Sequence, residues 1–131
     1  MTELNITGIL VATVAGMILG ALWYSPLLFG NAWMKCIGKT PDTLGKPTVP
    51  MIGSVIASLL SATGVALVFS LIEVSSLPVA IGTGLILGLL IIFPALLSDN
   101  LFCGWGAKLL VIQSGYRATS VILMSLAMYY V

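Results

Sequence analysis

The sequence predicts an all-α membrane protein: four transmembrane helices in an antiparallel bundle, joined by short loops, with an interfacial segment after the first helix. Three observations carry that expectation. The 131 residues are 60% hydrophobic and only 7% charged, whereas soluble domains average about 25% charged residues. Mean hydropathy is +1.18. The five basic and four acidic side chains lie between or outside four long apolar runs, with one exception, Arg117. So little charge does not cover a water-facing surface, which leaves lipid as the solvent for most of the chain.

The first apolar run begins at Ile6 and meets no charge until Lys35, which predicts a span over about residues 6–26. The N-terminus has no basic stretch before this run, and the run is long enough to cross a bilayer, so a retained span is expected rather than a cleaved leader. The sequon Asn5-Ile6-Thr7 sits at the edge of the span and is read as coincidence. A polar linker from Lys39 to Pro47 precedes the second span, expected over 51–72. Glu73 to Ser76 is so short a loop that the second span and the third, 77–97, are expected to form an antiparallel hairpin. Pro50 and Pro78 fall at helix starts, where a missing N–H is tolerated. Pro94 is expected to kink the third helix and loosen its carbonyls. The fourth span is expected over 108–130, and the four make one domain over residues 1–131.

Orientation follows from the lysines. Lys35, Lys39 and Lys46 in the first loop and Lys108 in the third lie on one side, against Glu3 and Glu73 on the other. The positive-inside rule makes this a multi-pass protein of the inner (plasma) membrane, with lysine loops in the cytoplasm and both termini outside. Cys36 and Cys103 then lie beside the reducing compartment and are expected as free thiols. Two thiols without a histidine make an incomplete zinc set, so neither a metal nor a cofactor is expected. The chain has no histidine, the commonest general base. An interfacial enzyme using Cys103, Asp99 and Lys108 on a lipid-like substrate lacks a nucleophile–base pair at fixed spacing, and the chain is not expected to be an enzyme. A net charge of +1 with no basic run excludes nucleic acid as a partner.

Small residues recur every four positions: Gly8, Ala12, Gly16 and Gly20; Gly53, Ala57 and Ser61; Ala80, Gly84 and Gly88. In lipid, close backbone approach across such stripes replaces the hydrophobic drive for helix association. The stripes are expected to hold the bundle together, and their surplus points to a homo-oligomer.

The most distinctive segment follows the first span: Trp23-Tyr24-Ser25-Pro26-Leu-Leu-Phe29-Gly30-Asn31-Ala-Trp33-Met34-Lys35. Pro26 is expected to kink or break the helix, sending an aromatic segment along the cytoplasmic interface. An aromatic belt explains Trp23, Tyr24 and Trp33 as types, but not the Pro, Gly and Asn between them. This motif resembles the signature of the bacterial membrane family catalogued as domain of unknown function 1761. Asp99-Asn100-Leu101-Phe102 and Lys108 to Tyr116 are also similar to it. The resemblance covers nearly the whole chain. It implies a short four-span membrane protein and leaves the activity open.

Arg117 lies ~13 Å along the helix from Lys108 and ~21 Å from Val131, too far for its side chain to reach either interface. A central arginine costs ~2.5–3.5 kcal/mol on insertion scales and is expected to face protein or water. Gln113, Arg117 and Ser120 share one helical face, with Tyr116 and Ser114 beside it. Asp99 reaches Arg117 only if residues 99–106 fold back into the membrane, which Gly104 and Gly106 permit. The candidate ligand or ion site is therefore Arg117, Gln113, Tyr116, Ser120, Asp99 and Asn100; a purely structural arginine is the competing explanation. Two functions stand: an oligomeric channel or transporter for a small ion or solute, and a non-transporting scaffold or accessory protein that binds an anionic lipid or a partner subunit.

Overall fold

The computed structural model describes residues 4–131; Glu3 lies outside them. Every regular element among the described residues is helical: α1 (Ile6–Trp23), α2 (Gly30–Cys36), α3 (Thr48–Leu71), α4 (Leu77–Leu85), α5 (Phe93–Cys103) and α6 (Ala107–Tyr130), with a π-helical stretch, Ile86–Ile92, joining α4 to α5. Helix α1, helix α3, the composite Leu77–Cys103 and helix α6 are each long and apolar enough to cross a membrane.

The Asn5 side chain caps α1 by accepting from the Gly8 N–H at 2.8 Å. Helix α1 stops at Trp23, earlier than expected, because the residue before a proline is pushed out of the helical region. Pro94 sits in the first turn of α5, directly after the π-helical stretch. A proline removes an N–H and crowds the carbonyl four residues before it, and one wider turn accommodates both without ending the span. The third span consequently runs on to Cys103, six residues past its expected end, where Gly104 closes it in a left-handed conformation, φ 68°.

Helix α6 is the centre of the bundle. It packs against α1, α3 and the third span, and it is the span most buried inside the protein although the least apolar of the four. That inversion follows from the solvent: lipid accepts Leu and Ile readily, so polar side chains are turned toward neighbouring helices. The dry core is Ile9, Ala12, Ala62, Val65, Ala66, Val121, Met124 and Met128, contributed by α1, α3 and α6. The expected hairpin of the second and third spans does not close tightly. Although only residues 72–76 join them, a shallow apolar groove between Ser61, Gly64 and Val68 on one side and Leu87 and Ile91 on the other separates them, with Val121 of α6 at its floor.

The small-residue stripes divide into two kinds. A Cβ at Gly84 would lie 2.8 Å from the Ile122 Cα, and one at Gly88 2.9 Å from the Ala118 Cα, so α6 passes backbone to backbone against the third span. On α1, Gly8 abuts Met128, Gly16 abuts Met124, and Gly20 abuts Tyr116, which fixes α1 and α6 as antiparallel. The stripe expected on α3 is not used this way: Gly53 and Ser61 are exposed, and Ser58, Ala62, Val65 and Ala66 form its packing face.

Candidate functional site

Trp23 and Tyr24 end α1 where α6 begins its passage through the bundle. The Trp23 Nε1–H donates to the Ile112 carbonyl at 2.9 Å, and its ring lies on Gly115, where a Cβ would come within 2.9 Å. The chain then makes a compact turn. The Phe29 N–H donates to the Trp23 carbonyl at 3.0 Å, the Gly30 N–H to the Ser25 carbonyl at 2.9 Å, and the Ser25 hydroxyl to the Leu22 carbonyl at 2.7 Å. Gly30 is obligatory here: a Cβ would collide with the Tyr24 carbonyl oxygen and lie 2.8 Å from the Ser25 carbonyl carbon. Pro26 is exposed at the outside of the turn.

The motif residues therefore form a folded turn rather than a loose belt. Phe29 packs against Trp23 with its ring tilted by 43° and the centroids 4.8 Å apart. Trp33, brought back by α2, meets the Tyr24 ring edge-on at 5.3 Å, and Tyr24 in turn meets Tyr116 at 5.4 Å. The Tyr116 hydroxyl, buried, donates to the Gly16 carbonyl at 3.2 Å. Asn31 is exposed on the outer side of α2.

Beneath this aromatic roof lies a cleft of about 480 Å³, bounded by α1 (Met17, Gly20, Ala21), by Tyr24 and Trp33, by α3 (Pro50, Met51, Ser54, Ser58) and by α6 (Gln113, Tyr116, Arg117). The Ser58 hydroxyl donates to the Met17 sulfur at 3.5 Å at its inner end. Beyond them the packed core begins, so the cleft is blind.

Arg117 is ten residues into α6, ~15 Å from its start. Its guanidinium carbon lies 5.2 Å from the Tyr116 ring centroid, within the range of a cation–π contact. Tyr116 covers one side of it, but the residue as a whole is exposed and opens on the cleft; it is not enclosed by protein. Among the described residues no carboxylate pairs with it. Gln113, one turn earlier, faces the same space.

The other proposed partners are elsewhere. Ser120 is buried toward α1, its Oγ 3.3 Å from where a Gly16 Cβ would lie. Ser114 is buried and donates to the Leu110 carbonyl at 2.6 Å within its own helix. Residues 99–103 continue α5 and 104–106 turn directly into α6, with no re-entrant fold-back. Asp99 is exposed on α5, and Asn100 is buried because it organises the turn: its Nδ2 donates to the Gly106 carbonyl at 3.1 Å, while its own carbonyl accepts from the Gly104 and Trp105 N–H groups. Cys36 is half-buried and Cys103 exposed, and neither is paired.

The α3 wall was missed by sequence reasoning. Ser54 and Ser58, four apart, carried the signal: a hydroxyl pair on one face of a membrane-length helix. The stripe drawn through Gly53, Ala57 and Ser61 passed beside it.

No curated protein and no solved structure matches this chain. Residues 7–129 match the model of the family described as protein of unknown function (DUF1761). That match covers both the aromatic turn and the helix that carries Arg117, and the chain belongs to the DUF1761 family.

Proposed function

We propose that this is a multi-pass protein of the inner (plasma) membrane, its lysine loops in the cytoplasm, that binds an anionic solute in the cleft beside Arg117. One observation carries the reading: a guanidinium near the middle of a membrane-length helix, without a carboxylate partner among the described residues, opens onto a cleft of about 480 Å³. An arginine at that depth is costly unless water or an anion solvates it, and in a site of low dielectric its attraction for an anion is strengthened. Gln113 adds an amide donor, and Ser54 and Ser58 offer hydroxyls from the opposite wall.

Transport of that solute is the step beyond binding. The blind end of the cleft favours a carrier, or a path between copies of a homo-oligomer, over an open channel through one copy. Reconstituted into liposomes, the protein is expected to take up a small anion from a panel of chloride, acetate and phosphate, and Arg117→Gln to abolish that uptake. If no member of the panel binds or crosses in an Arg117-dependent manner, the proposal fails.

The same blind end supports a second reading, a non-transporting protein that holds a lipid. Native mass spectrometry would then find a retained anionic lipid, lost in Arg117→Gln, with no flux in liposomes.

A further inference from the structure

Within that reading, we propose that the cleft takes a singly charged amphiphile, one oxyanion group carried on an apolar body, rather than a bare inorganic ion. The charge count comes first. Among the described residues, Arg117 is the one charged side chain lining the cleft. A monoanion neutralises it, whereas a dianion would leave a charge uncompensated in surroundings of low dielectric. A carboxylate or phosphodiester also matches the two-pronged donor geometry of a guanidinium.

Size and wall chemistry decide the rest. Liquid water occupies ~30 Å³ per molecule, so a cleft of about 480 Å³ dwarfs a monatomic ion. It lies in the range of sites that enclose small organic molecules. Polar groups stand on two facing helices, Gln113 and Arg117 on α6 and Ser54 and Ser58 on α3, while Met17, Ala21, Pro50 and Met51 present apolar surface. A bare ion leaves that surface against water. An apolar body covers it and gains roughly fourfold in affinity per buried methylene. Trp33 sits in the wall and reports occupancy.

The test uses the full chain in phosphatidylcholine nanodiscs and bromine-tagged octanoate, which quenches a nearby indole. Saturable quenching is expected, with Trp33→Phe removing most of it and Arg117→Gln weakening binding at least tenfold. Neutral bromine-tagged octanol should not compete at equal concentration. Ala21→Phe takes up part of the apolar wall and should weaken octanoate binding by a larger factor than acetate binding; equal losses for the two would count against the apolar body. If phosphatidylglycerol in the disc blocks octanoate, a bilayer lipid is the occupant; if it does not, a free organic acid is; either result upholds the shared chemistry. Acetate or chloride competing as strongly as octanoate, still dependent on Arg117, would overturn the amphiphile and leave anion binding intact. Absence of any Arg117-dependent anion would overturn both.

Discussion

The tight passage of the third span across α6 makes a quantitative prediction with its control in the same helix. Gly82 and Gly84 both lie in α4. A Cβ at Gly84 would sit 2.8 Å from the Ile122 Cα and 3.2 Å from its Cγ1, whereas one at Gly82 would meet nothing within 4 Å. Carbon–carbon contacts are optimal at ~3.5–4.0 Å. The Gly84→Ala substitution therefore forces the two helices apart by ~0.7–1.2 Å, because the obstructing atom is backbone and has no rotamer to change. A gap of ~0.5–1 Å forfeits a quarter to a half of each dispersion contact along the seam, and overpacking of this kind costs ~1–3 kcal/mol. The gain in helix propensity from Gly to Ala, ~1 kcal/mol, is common to both variants and cancels in their comparison. Gly84→Ala should thus be less stable than Gly82→Ala by ~1–3 kcal/mol. A value of ~2 kcal/mol is about a 30-fold change in the unfolding constant. Reversible unfolding of micelle-embedded protein in SDS, followed by circular dichroism, measures the difference. Equal midpoints for the two variants would refute the backbone-to-backbone approach and with it the packing that places α6 at the centre.

Three further outcomes follow from the aromatic turn and the loops. Gly30→Ala should lose ~1–3 kcal/mol and much of the near-ultraviolet aromatic signal, because relieving the clash with the Tyr24 and Ser25 backbone opens the turn and carries Trp33 off Tyr24. Trp23→Phe should cost about 1 kcal/mol from the lost donation to the Ile112 carbonyl; a thermal midpoint unchanged from wild type would show that this bond carries no stability. For the proposed orientation, a membrane-impermeant maleimide should leave the exposed Cys103 unlabelled in intact cells and label it in inverted vesicles, with the half-buried Cys36 reacting more slowly. Glu73→Cys, in the opposite loop, should show the reverse, and labelling of Cys103 from outside would invert the assignment.

The class and the span count were legible in the chain because both depend only on composition along the sequence. Helices in lipid must satisfy their own backbone hydrogen bonds, so apolar length suffices to find them. The third span's stripe, Ala80, Gly84 and Gly88, was readable for the same reason: one period, one face, one buried seam. Residues that meet across helices were not. Whether Gln113 and Arg117 look into a cleft while Ser120 turns to α1 depends on the rotation of α6 against two neighbours, and α3 could supply Ser54 and Ser58 or Gly53 and Ser61 with equal local merit. Asp99 and Asn100 join the site only if residues 99–106 fold back, and the turn at Gly104 instead sends one outward and gives the other to the loop backbone. Tertiary packing alone decided that α6, the most polar span, became the axle of the bundle. A lipid solvent places no premium on burying Leu or Ile, so contact between helices is allotted to whichever residues allow the closest approach or cannot face hydrocarbon.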